Sequence, residues 1–159
     1  MKAILYLVFI VALVSAYNRD DAVKIASGLI EGLELNEPKN KLTECVDKML
    51  WTAWEETVPK ARLILGDNIA NLHEALMYFL RGPMESVTFM RACSETDMVR
   101  MIQIMSMITD NRAKFEENIK TYRQEIMDLM MQFFAVWDES YYVDVGIKAA
   151  KIVNLVFKL

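Results

Sequence analysis

Histidine occurs once in this chain of 159 residues, cysteine twice, proline three times and glycine five times. Each scarcity excludes something. A lone imidazole, His73, leaves too few His and Cys side chains for a zinc site, and the Glu-x-x-His pair of di-iron bundles is missing because Ala70 stands three residues before it. No serine or cysteine lies in a Gly-x-Ser-x-Gly turn, so a nucleophile-base triad cannot be assembled. His73 reads instead as a surface or packing residue. The adjacent acids Glu55-Glu56 and Glu116-Glu117 take different bearings on a helix, which suits solvated faces and not a carboxylate pair. The chain is therefore expected to be no enzyme and to need no metal or cofactor.

A block of basic residues is also lacking. Lysine and arginine total 18 against 22 acids, for a net charge of -4, so the clustered cations that displace counterions from nucleic acid are absent. No Asn-x-Ser/Thr sequon occurs, so N-glycosylation is not expected. The longest apolar run, Ile4 to Val14, falls short of the roughly 20 residues of a bilayer span. With Lys2 before it and the small residues of Val14-Ser15-Ala16 after it, residues 1–16 read as a secretory signal peptide. The remainder, residues 17–159, suits one domain, located outside the cell or in the lumen of the secretory pathway. Retention of the leader as a membrane anchor is the alternative. In that oxidising setting Cys45 and Cys93 are expected to form one disulfide, whose loop of about 50 residues corresponds to roughly 4 kcal/mol of stabilisation.

What the chain has is apolar surface at helical spacing. Hydrophobic residues make up 54% of it and recur three and four apart, with no strand-like alternation. The expected fold is all-α, an antiparallel helical bundle of about five to seven helices. The first helix starts near residues 18–21 and runs to about Leu35, burying Ala22, Ile25, Ala26, Leu29 and Leu33, until Asn36-Glu37-Pro38 breaks it. A second starts near Lys39 and turns Leu42, Cys45, Val46, Met49, Leu50 and Ala53 inward. Pro59 closes that helix or opens a third, which carries Leu63, Ile69, Leu72, Leu76, Met77 and Leu80 on one side until Gly82-Pro83 stops it. A short fourth, Met84 to Ala92, brings Cys93 to its end. A fifth begins at Ser94 and continues, or pauses at Thr109-Asp110-Asn111, before Phe115, Ile119, Tyr122, Ile126, Leu129, Met130, Phe133 and Trp137 extend its stripe. After Asp138-Glu139-Ser140 a last helix presents Tyr142, Val145, Ala149, Ile152, Val153 and Val156.

The run Ser27-Gly28-Leu29-Ile30-Glu31-Gly32-Leu33, then Glu44-Cys45 followed by Asp47, then Ala75-Leu76 and the second cysteine at Cys93, resembles small secreted two-cysteine all-helical proteins of ciliate protists. The resemblance covers residues 25–93 and leaves Met98 to Leu159 outside it. It implies secretion, an all-helical fold and the disulfide, and it transfers no catalytic or ligand residues.

Four features bear on function. Gly28 and Gly32 clear one patch of the first helix for a close backbone neighbour, which reads as tight packing within the bundle, since Glu31 between them disfavours a membrane dimer. The 12 methionines suit ordinary core filling, an adaptable apolar cavity, or cuprous ion at Met98, Met101 and Met105, in that order. Neighbouring rings such as Phe133-Phe134 and Tyr141-Tyr142 lie about 100° apart on a helix, so some should reach the edge of the core. The last helix, with Lys148, Lys151 and Lys158 opposite its apolar stripe, reads as a central bundle helix with snorkelling lysines ahead of an interfacial membrane helix. Three roles follow: a structural or protein-interaction bundle, as a homo-oligomer or with a protein partner; a carrier of lipid or other apolar molecules, lined by Met98, Met101, Ile102, Met105, Phe133 and Trp137; or a membrane-associated protein.

Overall fold

The computed structural model describes residues 19–34, 48–91 and 112–157, and among these every regular element is helical. Helix α1, Arg19–Gly32, opens on Asp20 and Asp21, acids that suit the positive end of a helix dipole. Asp21 pairs with Lys24 at 2.8 Å and holds that ammonium above the ordinary lysine pKa, chiefly by its hydrogen bond and charge. The pair therefore favours the fold below the ordinary lysine range and ceases to do so as pH rises beyond Lys24's own raised value. The expected inward face of Ala22, Ile25, Ala26, Leu29 and Leu33 is buried. The helix ends before Leu35, because Glu34 takes a left-handed conformation, φ 55°, and donates its N–H to the Glu31 carbonyl at 3.2 Å.

Helix α2, Lys48–Leu65, departs from expectation by running through Pro59. A proline there lacks the N–H for the carbonyl four residues back, at a cost of about 3 kcal/mol in a helix interior. Burial of Trp51, Trp54, Val58, Ala61 and Leu65 on one face holds the helix together across it, with Pro59 itself exposed. The stop comes instead at Gly66, φ 48°, a left-handed position that glycine takes without strain. Asn68 then caps a 3-10 turn, Ile69–Asn71, accepting from the Ala70 N–H at 2.9 Å.

Helix α3, Leu72–Phe79, and helix α4, Arg81–Arg91, are separated only at Leu80. Gly82-Pro83 does not end a helix but sits in the first turn of α4, where a missing N–H goes unnoticed. Splitting the expected third helix between α2 and α3 changes which residues face inward: Leu63 is 83% exposed and Met77 42% exposed, contrary to the single-stripe reading. Leu63 lies about 200° from Ala61 around α2, so the face fixed by Trp54, Ala61 and Leu65 turns it to solvent.

Helix α5, Arg112–Thr121, and helix α6, Arg123–Asp138, form one arm interrupted at Tyr122. At its end the Tyr141 N–H reaches the Val136 carbonyl at 3.0 Å and the Ser140 N–H the Trp137 carbonyl at 3.1 Å, the pairing of a Schellman cap with Ser140 left-handed at φ 61°. This turn sends helix α7, Tyr142–Phe157, back along the arm, so α6 and α7 are antiparallel as expected.

Helices α1 and α7 are different. Gly28 abuts Val143 and Gly146, while Gly32 abuts Ile147 and Ala150, so residue numbers rise together along the contact and the two helices run parallel. An all-antiparallel arrangement is thus corrected at this pair, which joins the two ends of the described chain. α7 is central: Val145, Ala149, Ile152, Val153 and Val156 are buried, and Lys148 reaches across to Gln132 at 2.6 Å. Among the described residues no helix is long and apolar enough to cross a membrane. The Cys45–Cys93 bridge, and the starts expected at Lys39 and Ser94, lie outside the described residues.

Candidate functional site

The rings of α2, α3, α6 and α7 gather into one stack. Trp54 is its centre, with ring centroids 5.9 Å from Phe133 and 6.4 Å from Phe79, which meets Phe133 edge-on at 4.8 Å. Trp137 lies 6.5 Å from Trp54 and 6.0 Å from Trp51, and Tyr142 closes the outer edge 5.4 Å from Trp51. These are contact distances for offset and edge-to-face rings. The Trp54 indole N–H donates to Ser86 Oγ at 2.7 Å, and the Ser86 hydroxyl donates to the Gly82 carbonyl at 2.9 Å. A side chain at Gly82 would crowd this chain of bonds, since its Cβ would stand 3.0 Å from Thr57 Oγ1 and 3.2 Å from the Trp54 ring. Trp51 Nε1, on the outer side of the stack, is buried without a hydrogen-bond partner.

Two of the six residues expected to line an apolar cavity, Phe133 and Trp137, are brought together here, in contact with each other at 6.3 Å and with Trp54. The other four, Met98, Met101, Ile102 and Met105, lie outside the described residues. Phe133 and Phe134 are both buried, despite pointing in different directions. Arg62 explains the second ring: its guanidinium lies 4.8 Å over Phe134, donates to the Phe134 carbonyl at 2.8 Å and pairs with Asp138 at 2.9 Å. Tyr141 is the ring that reaches solvent, 57% exposed. Met130 is fully buried and Met131 is 46% exposed, so the later methionines divide between core and surface.

Two open clefts flank this core. One, about 370 Å³, runs between the end of α2 and α6, bounded by Arg62, Gly66, Met131, Phe134 and Asp138. The other, about 340 Å³, lies where the 3-10 turn and the start of α3 meet the α5–α6 junction. Its apolar floor is Leu72 and Ile119, and its rim carries His73, Glu116, Lys120 and Arg123. Arg123 is fixed there by donating to the Ile69 carbonyl at 2.7 Å. His73 is exposed, so of its two readings, surface or packing, the first holds. Nothing in the sequence links it to Lys120 and Arg123, some fifty residues away, because only the docking of the arm against α3 brings them together.

Comparison with the known protein families, with characterised proteins and with solved structures finds no match.

Proposed function

We propose that the chain is a non-enzymatic helical bundle with a structural or protein-interaction role, exported by the leader at residues 1–16 and braced by a Cys45–Cys93 bridge. The observation that carries this reading is the distribution of apolar mass. Trp54, Phe79 and Phe133 fill the interior ring against ring with half-buried Trp137 beside them, while Leu63, Met77, Met131 and Tyr141 stand outside. Covering apolar surface gains about 25 cal/mol per Å², so cover of these side chains by a second surface is favourable.

Native mass spectrometry and sedimentation of protein from its natural source test the reading together. The expected result is a species heavier than one chain, or a defined complex, with a two-dalton deficit for the bridge and the leader removed. A monomer at all concentrations that carries bound lipid overturns it in favour of a carrier built on Met98, Met101, Ile102, Met105, Phe133 and Trp137. A monomer that floats with liposomes overturns it in favour of membrane association.

A further inference from the structure

The cleft at the start of α3 has a chemistry that the interaction role does not use. In a chain of net charge -4, its rim sets Lys120, Arg123 and the sole histidine, His73, against one carboxylate, Glu116. Arg123 is already oriented by its bond to the Ile69 carbonyl at 2.7 Å, and that bond uses only one of its five N–H groups. His73 is the second residue of α3, whose first turn also carries Glu74. The floor of Leu72 and Ile119 is buried and apolar.

We propose that this cleft binds a phosphate group, with Arg123 and Lys120 as the charged anchors and His73 as a further donor. A guanidinium held in place presents parallel donors to phosphate oxygens, and an ammonium adds a movable point charge. The site stands or falls separately from the oligomeric state of the bundle.

The single histidine makes the test direct. The imidazole resonances of His73 in the full chain are followed while inorganic phosphate replaces chloride at constant ionic strength. The expected result is a saturable shift, weakened about tenfold by Lys120→Ala, as for loss of one hydrogen bond to a charged group, and regained in Lys120→Arg. Arg123→Lys, which keeps the charge but not the fork, should weaken it also. A second arm uses phosphatidylcholine vesicles with and without phosphatidic acid. Sedimentation that requires phosphatidic acid and is competed by inorganic phosphate assigns the group to a lipid; a phosphate shift without vesicle binding assigns it to a soluble compound. The proposal is overturned if neither phosphate nor phosphatidic acid gives a saturable response, or if Lys120→Ala and Arg123→Lys bind as strongly as the parent.

Discussion

Between α1 and α7 the backbones touch; between α2 and α6 the rings of Trp54, Phe133 and Trp137 hold the helices apart. At the first contact a Cβ on Gly146 would run into the Ile25 carbonyl and stand 2.6 Å from the Leu29 nitrogen, and one on Gly32 would meet the Ala150 Cβ at 2.5 Å. At the second, neighbouring rings sit 5.9 to 6.5 Å apart, centroid to centroid, and each is in contact with two or more others. One seam excludes any added atom, whereas the other depends on every atom it already has. The two are therefore vulnerable to opposite kinds of substitution, because close-packed interiors resist expansion where backbone is the neighbour and lose most from truncation where large side chains are.

Gly146→Leu should have the largest effect. Backbone on the facing helix cannot rotate away, so α1 and α7 must separate, which uncovers Ile25 and Leu29, each worth about 1.5–3 kcal/mol. Thermal unfolding followed by circular dichroism should lose its cooperative transition, and a transition like that of the parent would refute the seam. Trp54→Ala, at the centre of the rings, should destabilise by about 4 kcal/mol, in the range of large aromatic truncations, with the fold retained. Denaturant titration measures it. If Trp54→Ala proved more damaging than Gly146→Leu, the comparison would be reversed.

The two seams also differ in how far they can be read before folding. Gly28 and Gly32 announce a close neighbour by their spacing, but their partner Gly146 sits in Val-Gly-Ile-Lys-Ala-Ala, where a single glycine four residues before an alanine is a weak signal. That the two helices run parallel is not encoded locally at all, since it follows from the path of everything between them. The rings were legible as core material and their grouping was not, because residues on four helices meet only after docking. Buried faces of α1 and α7 follow from apolar spacing alone, and the turn at residues 139–141 from the break in that spacing. The errors cluster at Pro59 and Gly82-Pro83, where local breakers lost to tertiary burial or fell in a first turn that tolerates them. The cleft at the start of α3 had only half a local signature: Lys120 and Arg123 stand three residues apart on the arm, but His73 joins them from α3 only on docking.

Smaller substitutions sharpen the contrast by separating polar from steric terms. Ser86→Ala removes the acceptor of the Trp54 N–H, leaving a buried donor unpaired at about 1–3 kcal/mol, with little change in packed volume. Trp54→Phe should cost more than Ser86→Ala, because it loses ring contact as well, and a double-mutant cycle between these sites isolates the hydrogen bond. An additive cycle would mean that the bond contributes nothing.

Strain at the helix ends gives the smallest effects, of opposite sign. A Cβ at Gly66 would meet nothing within 4 Å, so Gly66→Ala differs from the seam glycines in having room and lacking only the left-handed freedom. It should destabilise by about 1 kcal/mol, the penalty of φ 48° for an alanine. Ser140 already bears that penalty at φ 61° in the cap of α6. Ser140→Gly should therefore stabilise, by less than about 1 kcal/mol because glycine also loses more chain entropy on folding. Shifts of opposite sign in the midpoint of unfolding, the smaller for Ser140→Gly, would place both residues in one conformational class. A destabilised Ser140→Gly would instead locate the cap's contribution in the serine side chain, whose Oγ lies 3.4 Å from the Tyr142 hydroxyl.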